Sequence, residues 1–295
     1  MAVSQTLGVE REVRLAAGTI NVRERGEGPP LLFVHGVGVN GDLWRHVVPL
    51  LADRWRCITP DWPLGAHTRP MDAGADLSPP ALAAMVVELM DALGLERATL
   101  VGSDTGGAVC QMVLARWPQR VERLALASCD AFEYFPPPGA AHIPLVARIP
   151  GALWLAAQGS KLRAIRRSAL VFGPVASADF PPEIVRSYLG PARDAAIRRD
   201  AGKAFRGLNR RWTLEAARAF ADRPQPVLVA WSADDGLFPM ALGRRLAAAF
   251  PNAEFAVIEG ARAFSPEDAP QALADAVRAF LIRTEAPLAR ALASP

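Results

Sequence analysis

Lysine is almost missing from this 295-residue chain, with Lys161 and Lys203 its only two. The positive charge is carried by arginines interleaved with acids. No basic block forms, which excludes a nucleic-acid-binding face as the main working surface. Cysteine is scarce as well. Cys57, Cys110 and Cys129 are an odd, unclustered set, each inside an apolar run. That pattern argues against a disulfide framework or a cysteine metal site and for buried thiols in a reducing compartment. No apolar run reaches membrane-spanning length, because the most apolar stretch, residues 143–157, is broken by Pro144, Arg148 and Pro150. Glu10, Arg11 and Glu12 precede any long apolar run, so no signal peptide is expected and a cytoplasmic location is. Histidine is limited to His35, His46, His67 and His142, and tyrosine to Tyr134 and Tyr188. No internal repeat is present.

What the chain has in quantity is hydrophobic residues, 51% of the total, enough for one large α/β core with an inserted subdomain. Strands are predicted at residues 9–15, 19–23, 31–34, 56–59, 98–101, 123–127, 227–231 and 255–258. Helical patterns lie between most of them, at 43–51, 77–93 (with Ser78 as N-cap and Gly94 closing it), 106–117, 213–220, 240–250 and 270–281. The run Leu31-Leu32-Phe33-Val34 is apolar on both faces, as a strand covered on both sides must be. This alternation predicts a doubly wound, mostly parallel sheet with ligands at the carboxyl ends of its strands. Residues 62–76 form a Pro- and Gly-rich loop too long for a bare connector. Between about 132 and 211 the strand–helix alternation stops and prolines punctuate helical stretches. That section reads as an inserted helical cap, which divides the core into 1–131 and 212–284 and leaves 285–295 as a loosely held tail.

The stretch Gly102-Ser103-Asp104-Thr105-Gly106-Gly107 sits where a predicted strand turns sharply into a helix. Small residues two positions either side of a turn residue let strand and helix approach closely, the arrangement of a nucleophile elbow. Gly102 and Gly106 place Asp104 at the tip, with Ser103 one position early. A carboxylate there can act as a covalent nucleophile; the plainer alternative is a glycine-rich turn whose aspartate caps the helix. His35-Gly36, Asp61, Asp104, Asp130, Asp235 and Glu259 all fall at or just past predicted strand ends. Six polar groups converging on one sheet edge favour the elbow.

With His35-Gly36, Leu43-Trp44-Arg45, Pro60-Asp61, the Gly102–Gly107 elbow and Trp231-Ser232-Ala233-Asp234-Asp235, the chain resembles the α/β-hydrolases with an aspartate nucleophile. These include haloalkane and fluoroacetate dehalogenases, epoxide hydrolases and coelenterazine luciferases, and the resemblance runs from Val9 to Leu281. It implies that Asp104 attacks an sp³ carbon while the backbone N–H groups of Val37 and Thr105 form the oxyanion hole. It implies that Asp235, with Asp234 as the alternative register, is the relay acid. It also implies a small-molecule substrate without cofactor or metal, and leaves a homodimer open. Three departures accompany it. In Gly260-Ala261-Arg262-Ala263-Phe264 an alanine, Ala263, occupies the place of the family's histidine. Thr105 and Val37 stand where dehalogenases hold the halide with an indole and an amide. Tyr188 is the one tyrosine of the cap proper, whereas epoxide hydrolases use two. His35, His67, Asp130 and His142 are therefore candidate auxiliary groups, and Trp154, Phe172, Tyr188, Phe205 and Trp212 are candidate pocket residues. Besides hydrolysis, the pattern admits a cofactor-free isomerase, cyclase or lyase using Asp104 as a base, or a ligand-binding protein without catalysis.

Overall fold

A computed structural model describes residues 5–168 and 171–292. The eight strands are β1 (Val9–Leu15), β2 (Gly18–Arg25), β3 (Pro30–Val34), β4 (Arg56–Pro60), β5 (Ala98–Asp104), β6 (Val121–Cys129), β7 (Val227–Ser232) and β8 (Ala253–Ile258). They form one sheet in the order β1-β2-β4-β3-β5-β6-β7-β8. The β1–β2 and β2–β4 pairs are antiparallel and all others parallel. Every residue of β5 and β7 is buried, consistent with helices on both faces, whereas edge strand β1 alternates only at its inner end. This is the doubly wound, mostly parallel α/β sheet expected from the alternation. Strand order reverses beside β3, so the loops after β3 and β5 diverge and open a crevice at their carboxyl ends.

Local differences have local causes. The helix expected over 43–51 is a 3₁₀ turn, Gly41–Trp44, followed by a single α-turn, Val48–Leu51. Pro49 has no N–H for the preceding turn and its ring clashes there, so the two cannot fuse. Ser78 has the extended backbone of an N-cap, but its hydroxyl bonds Asp76 instead of the helix Pro79–Ala92. Gly94 ends that helix at φ 67°. The last helix runs from Pro270 to Leu292, so most of the stretch expected as a loose tail is helical, with 293–295 outside the described residues.

Between β6 and β7 lie the longer helices Ala152–Gly159, Pro182–Leu189, Ala195–Gly207 and Arg210–Ala217, with no strand among the described residues. The boundary expected at Arg211 falls one residue inside the last of these. Asn209 caps it, and the Thr213 hydroxyl donates to the Phe132 carbonyl across the root of the insertion. Buried ionic anchors join the insertion to the sheet. Arg23 on β2 donates to Asp42 Oδ1 and Asp61 Oδ1, each at 2.6 Å. The other Asp42 oxygen accepts from the Ser187 hydroxyl at 2.6 Å. Asp61, expected among the converging strand-end acids, is thus committed to holding the loop after β3. Among the described residues no helix is long and apolar enough to cross a membrane.

Candidate active site

At the end of β5 the backbone turns through Asp104 at φ 53°, ψ −133° and enters the helix Thr105–Arg116. Positive φ with a β-carbon is strained, and the neighbours explain how it is held. A β-carbon on Gly106 would lie 2.1 Å from the Val34 carbonyl oxygen, and one on Gly102 would lie 2.8 Å from Gly107 Cα. Only glycine at both positions lets the helix start this close to β3 and β5. Gly36 is equally constrained, since a β-carbon there would strike the Asp104 carboxylate. Ser103, still on the strand, is wholly buried with its hydroxyl unpartnered, and it does not face the cavity.

Asp104 Oδ2 accepts from the backbone N–H of Val37 at 3.2 Å, and the Thr105 N–H also bonds the carboxylate. The two amides expected to form an oxyanion hole therefore grip the Asp104 side chain itself. Burial dominates its titration and pushes it up to about 7; the two N–H groups oppose the rise and the charge of Asp235 adds to it. No Arg, Lys or His contributes to that shift.

Two more acids stand close. Asp130, just past β6, accepts from the Thr105 hydroxyl at 3.0 Å through Oδ2, and its Oδ1 has no partner. Burial, then the neighbouring Asp104 charge, drive its pKa well above the usual carboxylate range. Asp235 follows β7 and turns inward, whereas Asp234 is exposed. Asp235 Oδ1 accepts from the N–H groups of Leu237 and Phe238, both at 2.8 Å, while Oδ2 is buried without a hydrogen bond. Its pKa is raised by burial against the pull of those two amides and of the Ser128 hydroxyl beside the carboxylate. Ala263 is fully buried in the apolar core. The next residue, Phe264, lines the cavity and is pinned by its N–H to the Val175 carbonyl at 2.7 Å.

Above Asp104 lies a cavity of about 260 Å³, enclosed mainly by apolar side chains of the helical insertion. Of the candidate pocket residues, Phe172, Tyr188 and Phe205 line it. Trp154 and Trp212 require correction. Trp154 is 46% exposed on the outer side of the insertion. Trp212 packs beneath Arg211 and donates to the Gly207 carbonyl at 3.2 Å. Leu237 and Phe264 were missed, although each lies within two residues of a position the motifs had marked, Asp235 and Ala263.

The histidines divide clearly. His35 is structural: its Nδ1 faces the Gly36 carbonyl at 2.9 Å, its Nε2 accepts from Trp62 N–H at 2.9 Å, and burial lowers its pKa to about 3. His67 is buried against Asp200, Nε2 to Oδ2 at 3.4 Å, and ties the 62–76 loop to the helix Ala195–Gly207 away from the cavity wall. His142 alone lines the cavity among the described residues. Tyr188 presents its ring to the cavity, but its hydroxyl donates to Glu267 Oε1 at 2.8 Å, and Arg45 grips the same carboxylate with two bonds of 2.6 Å. Among the described residues no group of three or more His, Cys, Asp or Glu side chains is arranged to hold a metal.

The family profile of the alpha/beta hydrolase fold matches residues 29–270. The chain belongs to that family. This hydrolase is 28% identical over 271 residues to haloalkane dehalogenase 2 of Mycobacterium tuberculosis, covering 88% of this chain and 90% of that one. Its fold is similar to an epoxide hydrolase structure, CorEH, at TM-score 0.79 and 21% identity, covering 94% of this chain and 99% of the other. It is also similar to a haloalkane dehalogenase of Bradyrhizobium elkani at TM-score 0.78 and 23% identity, covering 95% and 98%.

Proposed function

We propose that this hydrolase attacks an sp³ carbon of a small to medium, largely apolar molecule with the Asp104 carboxylate, displacing halide or opening an epoxide. The observation that carries the reading is the strained turn at Asp104, which aims a carboxylate into an apolar cavity while two backbone amides hold it, that of Val37 at Oδ2. The free oxygen forms the C–O bond, the carbon's bond to halide or epoxide oxygen breaks, and the alkyl ester keeps its carbonyl oxygen against Val37 and Thr105. Hydrolysis then needs a base to take a proton from water. Ala263 cannot serve, and His142 is the one imidazole on the cavity wall among the described residues. Departure of the leaving group is weakly supported. Thr105 and Val37 replace the halide-holding side chains, and the Tyr188 hydroxyl is occupied by Glu267. The helical insertion, residues 132–211, acts as the cap that selects substrate.

Intact-protein mass spectrometry after exposure to a panel of bromoalkanes and terminal epoxides tests this. The expected result is a stoichiometric alkyl adduct on Asp104 with little turnover. Its rate should rise with pH through about 7, because only the ionised carboxylate attacks. At pH 5 the rate should be roughly a hundredfold below its alkaline plateau. Many turnovers with no accumulating adduct would mean that another group already activates the water; neither adduct nor turnover across the panel favours the second reading, in which Asp104 takes a proton instead of attacking carbon. The observation behind that reading is the same raised pKa, which suits a general base near neutrality.

Pocket substitutions separate lining from bystander aromatics. Phe205→Ala should raise the half-saturating concentration of an apolar substrate by about tenfold or more. Trp154→Ala should leave it within about a factor of two. Equal effects on concentration dependence would mean that the cavity above Asp104 is not where substrate binds.

A further inference from the structure

Exposed large hydrophobic side chains are concentrated in one part of this molecule. Of the ten among the described residues, six fall between 145 and 165: Leu145, Ile149, Trp154, Leu155, Leu162 and Ile165. Leu145, Leu155 and Leu162 are each 63% exposed. They project from one local structure. Ile165 packs beside the helix Ala152–Gly159, where a β-carbon on Gly159 would meet it at 3.5 Å. Leu153 and Ala147 of the same segment approach Gly202 and Arg206 on the helix Ala195–Gly207 beneath. Opposite sides of these turns do opposite things: Ile143, Val146, Leu153 and Ala157 line the cavity that reaches Asp104, while Trp154 and Leu155 face outward.

Along the segment itself the charge has one sign. No Asp or Glu occurs between Glu133 and Asp179, whereas Arg148, Lys161, Arg163, Arg166 and Arg167 fall in that interval. Arg148 and Lys161 are exposed, and the Arg163 side chain is 80% exposed. Asp179 is gripped by Arg166 through both oxygens, at 2.9 and 2.8 Å, and also meets Arg163 Nε at 3.3 Å, so one acid faces two of these cations and the excess remains. An exposed cluster of large apolar side chains of this kind marks an interaction surface. Leucine, isoleucine and an outward tryptophan rimmed by cations form the pattern that inserts into the interface of an anionic bilayer. A second copy of the chain fits less well, since two such faces meeting about a two-fold axis would bring like charges together.

We propose that the segment from Leu145 to Ile165, whose inner side walls the cavity over Asp104, docks the protein peripherally on an anionic phospholipid bilayer. The absence of a spanning helix among the described residues is compatible with this, because the contact lies in the headgroup plane. The proposal does not depend on the chemistry at Asp104 and is tested without it.

The experiment is co-flotation of the whole protein with vesicles of equimolar phosphatidylglycerol and phosphatidylcholine, and with vesicles of phosphatidylcholine alone. Expected is binding to the first that weakens with salt and is at least about tenfold weaker to the second. Leu155→Glu, at an exposed position, should abolish flotation without lowering the melting temperature. Lys161→Glu with Arg163→Glu should reduce partitioning by about tenfold or more. Lipids brominated near the headgroup should quench tryptophan emission in the native protein and not in Trp154→Phe. Absence of flotation, or flotation unchanged by Leu155→Glu, overturns the proposal. So does sedimentation of the lipid-free native protein as a dimer that Leu155→Glu converts to monomer, which would assign the face to a second copy.

Discussion

Asp104→Asn should eliminate alkylation and hydrolysis and, at pH 8, raise the melting temperature. The first effect follows if Asp104 is the attacking group: removal of a nucleophile lowers turnover by roughly 10⁴-fold or more. The amide keeps the size of the carboxylate, and asparagine tolerates positive φ better than most residues, so the turn at φ 53° survives the change. The stability effect follows from linkage. Burial raises the folded-state pKa of Asp104 to about 7 from an ordinary value of 3.8. A carboxyl raised in this way costs nothing below pH 3.8. Its penalty grows as pH rises from there and is complete above 7. At roughly 1.4 kcal/mol per unit, the native side chain destabilises the fold by several kcal/mol at pH 8, which the neutral amide relieves. The variant should therefore melt several degrees higher at pH 8, and the difference should close at pH 4. Fresh protein is needed, because deamidation restores the acid. Full activity in Asp104→Asn would remove this residue from the mechanism. Loss of activity in Ser103→Ala while Asp104→Asn is spared would put the reacting group one residue earlier.

Much of this was legible in the sequence wherever backbone geometry dictates the residue. The central strands could be found because apolar runs such as Leu31–Val34 need cover on both faces. The elbow could be found because the spacing of Gly102 and Gly106 reflects close approach to Val34 and Gly107 that any β-carbon would block. What stayed hidden depends on tertiary contact. In Ala-Leu-Trp-Leu-Ala-Ala, residues 152–157, every side chain is apolar, so periodicity cannot tell the face that lines a cavity from the face that meets solvent. Trp154 turned out and Leu153 in. Trp212 lies in the first turn of the helix capped by Asn209, beyond Phe205, the last residue of the insertion on the cavity wall. His67 found its partner 133 residues away, at Asp200, a pairing that no local pattern announces. Asp130 was visible only as one strand-end acid among several. Its link to Asp104 through the hydroxyl and N–H of Thr105 exists only once β5 and β6 lie side by side.

Ala263→His is the substitution expected to give the largest gain. The Asp235 carboxylate is already half engaged: Oδ1 is saturated by two backbone N–H groups, while Oδ2 is buried and makes no hydrogen bond of good geometry, with the Ser128 hydroxyl beside the carboxylate. A free, buried carboxylate oxygen destabilises the fold until a donor reaches it, and an imidazole N–H entering from residue 263 is the donor that a catalytic relay would supply. The second ring nitrogen would then stand toward the ester on Asp104 and take the proton from an attacking water, converting a persistent adduct into turnover. A positioned general base contributes roughly 10²–10⁴-fold. The lower end is expected, because Ala263 is fully buried and a larger side chain costs about 1–3 kcal/mol of overpacking. Pre-formed adduct should disappear from the mass spectrum of the variant, with release of alcohol. Asp235→Asn in the Ala263→His background should cancel most of the gain, since an amide nitrogen in place of Oδ2 donates where the relay needs an acceptor. Two results would break the argument. Rapid multiple turnover in the native protein would mean that another group already activates water, with His142 on the cavity wall the first to replace. No adduct in the native protein, together with lower activity in Ala263→His, would mean that Asp104 works as a proton acceptor and that alanine leaves room the reaction uses.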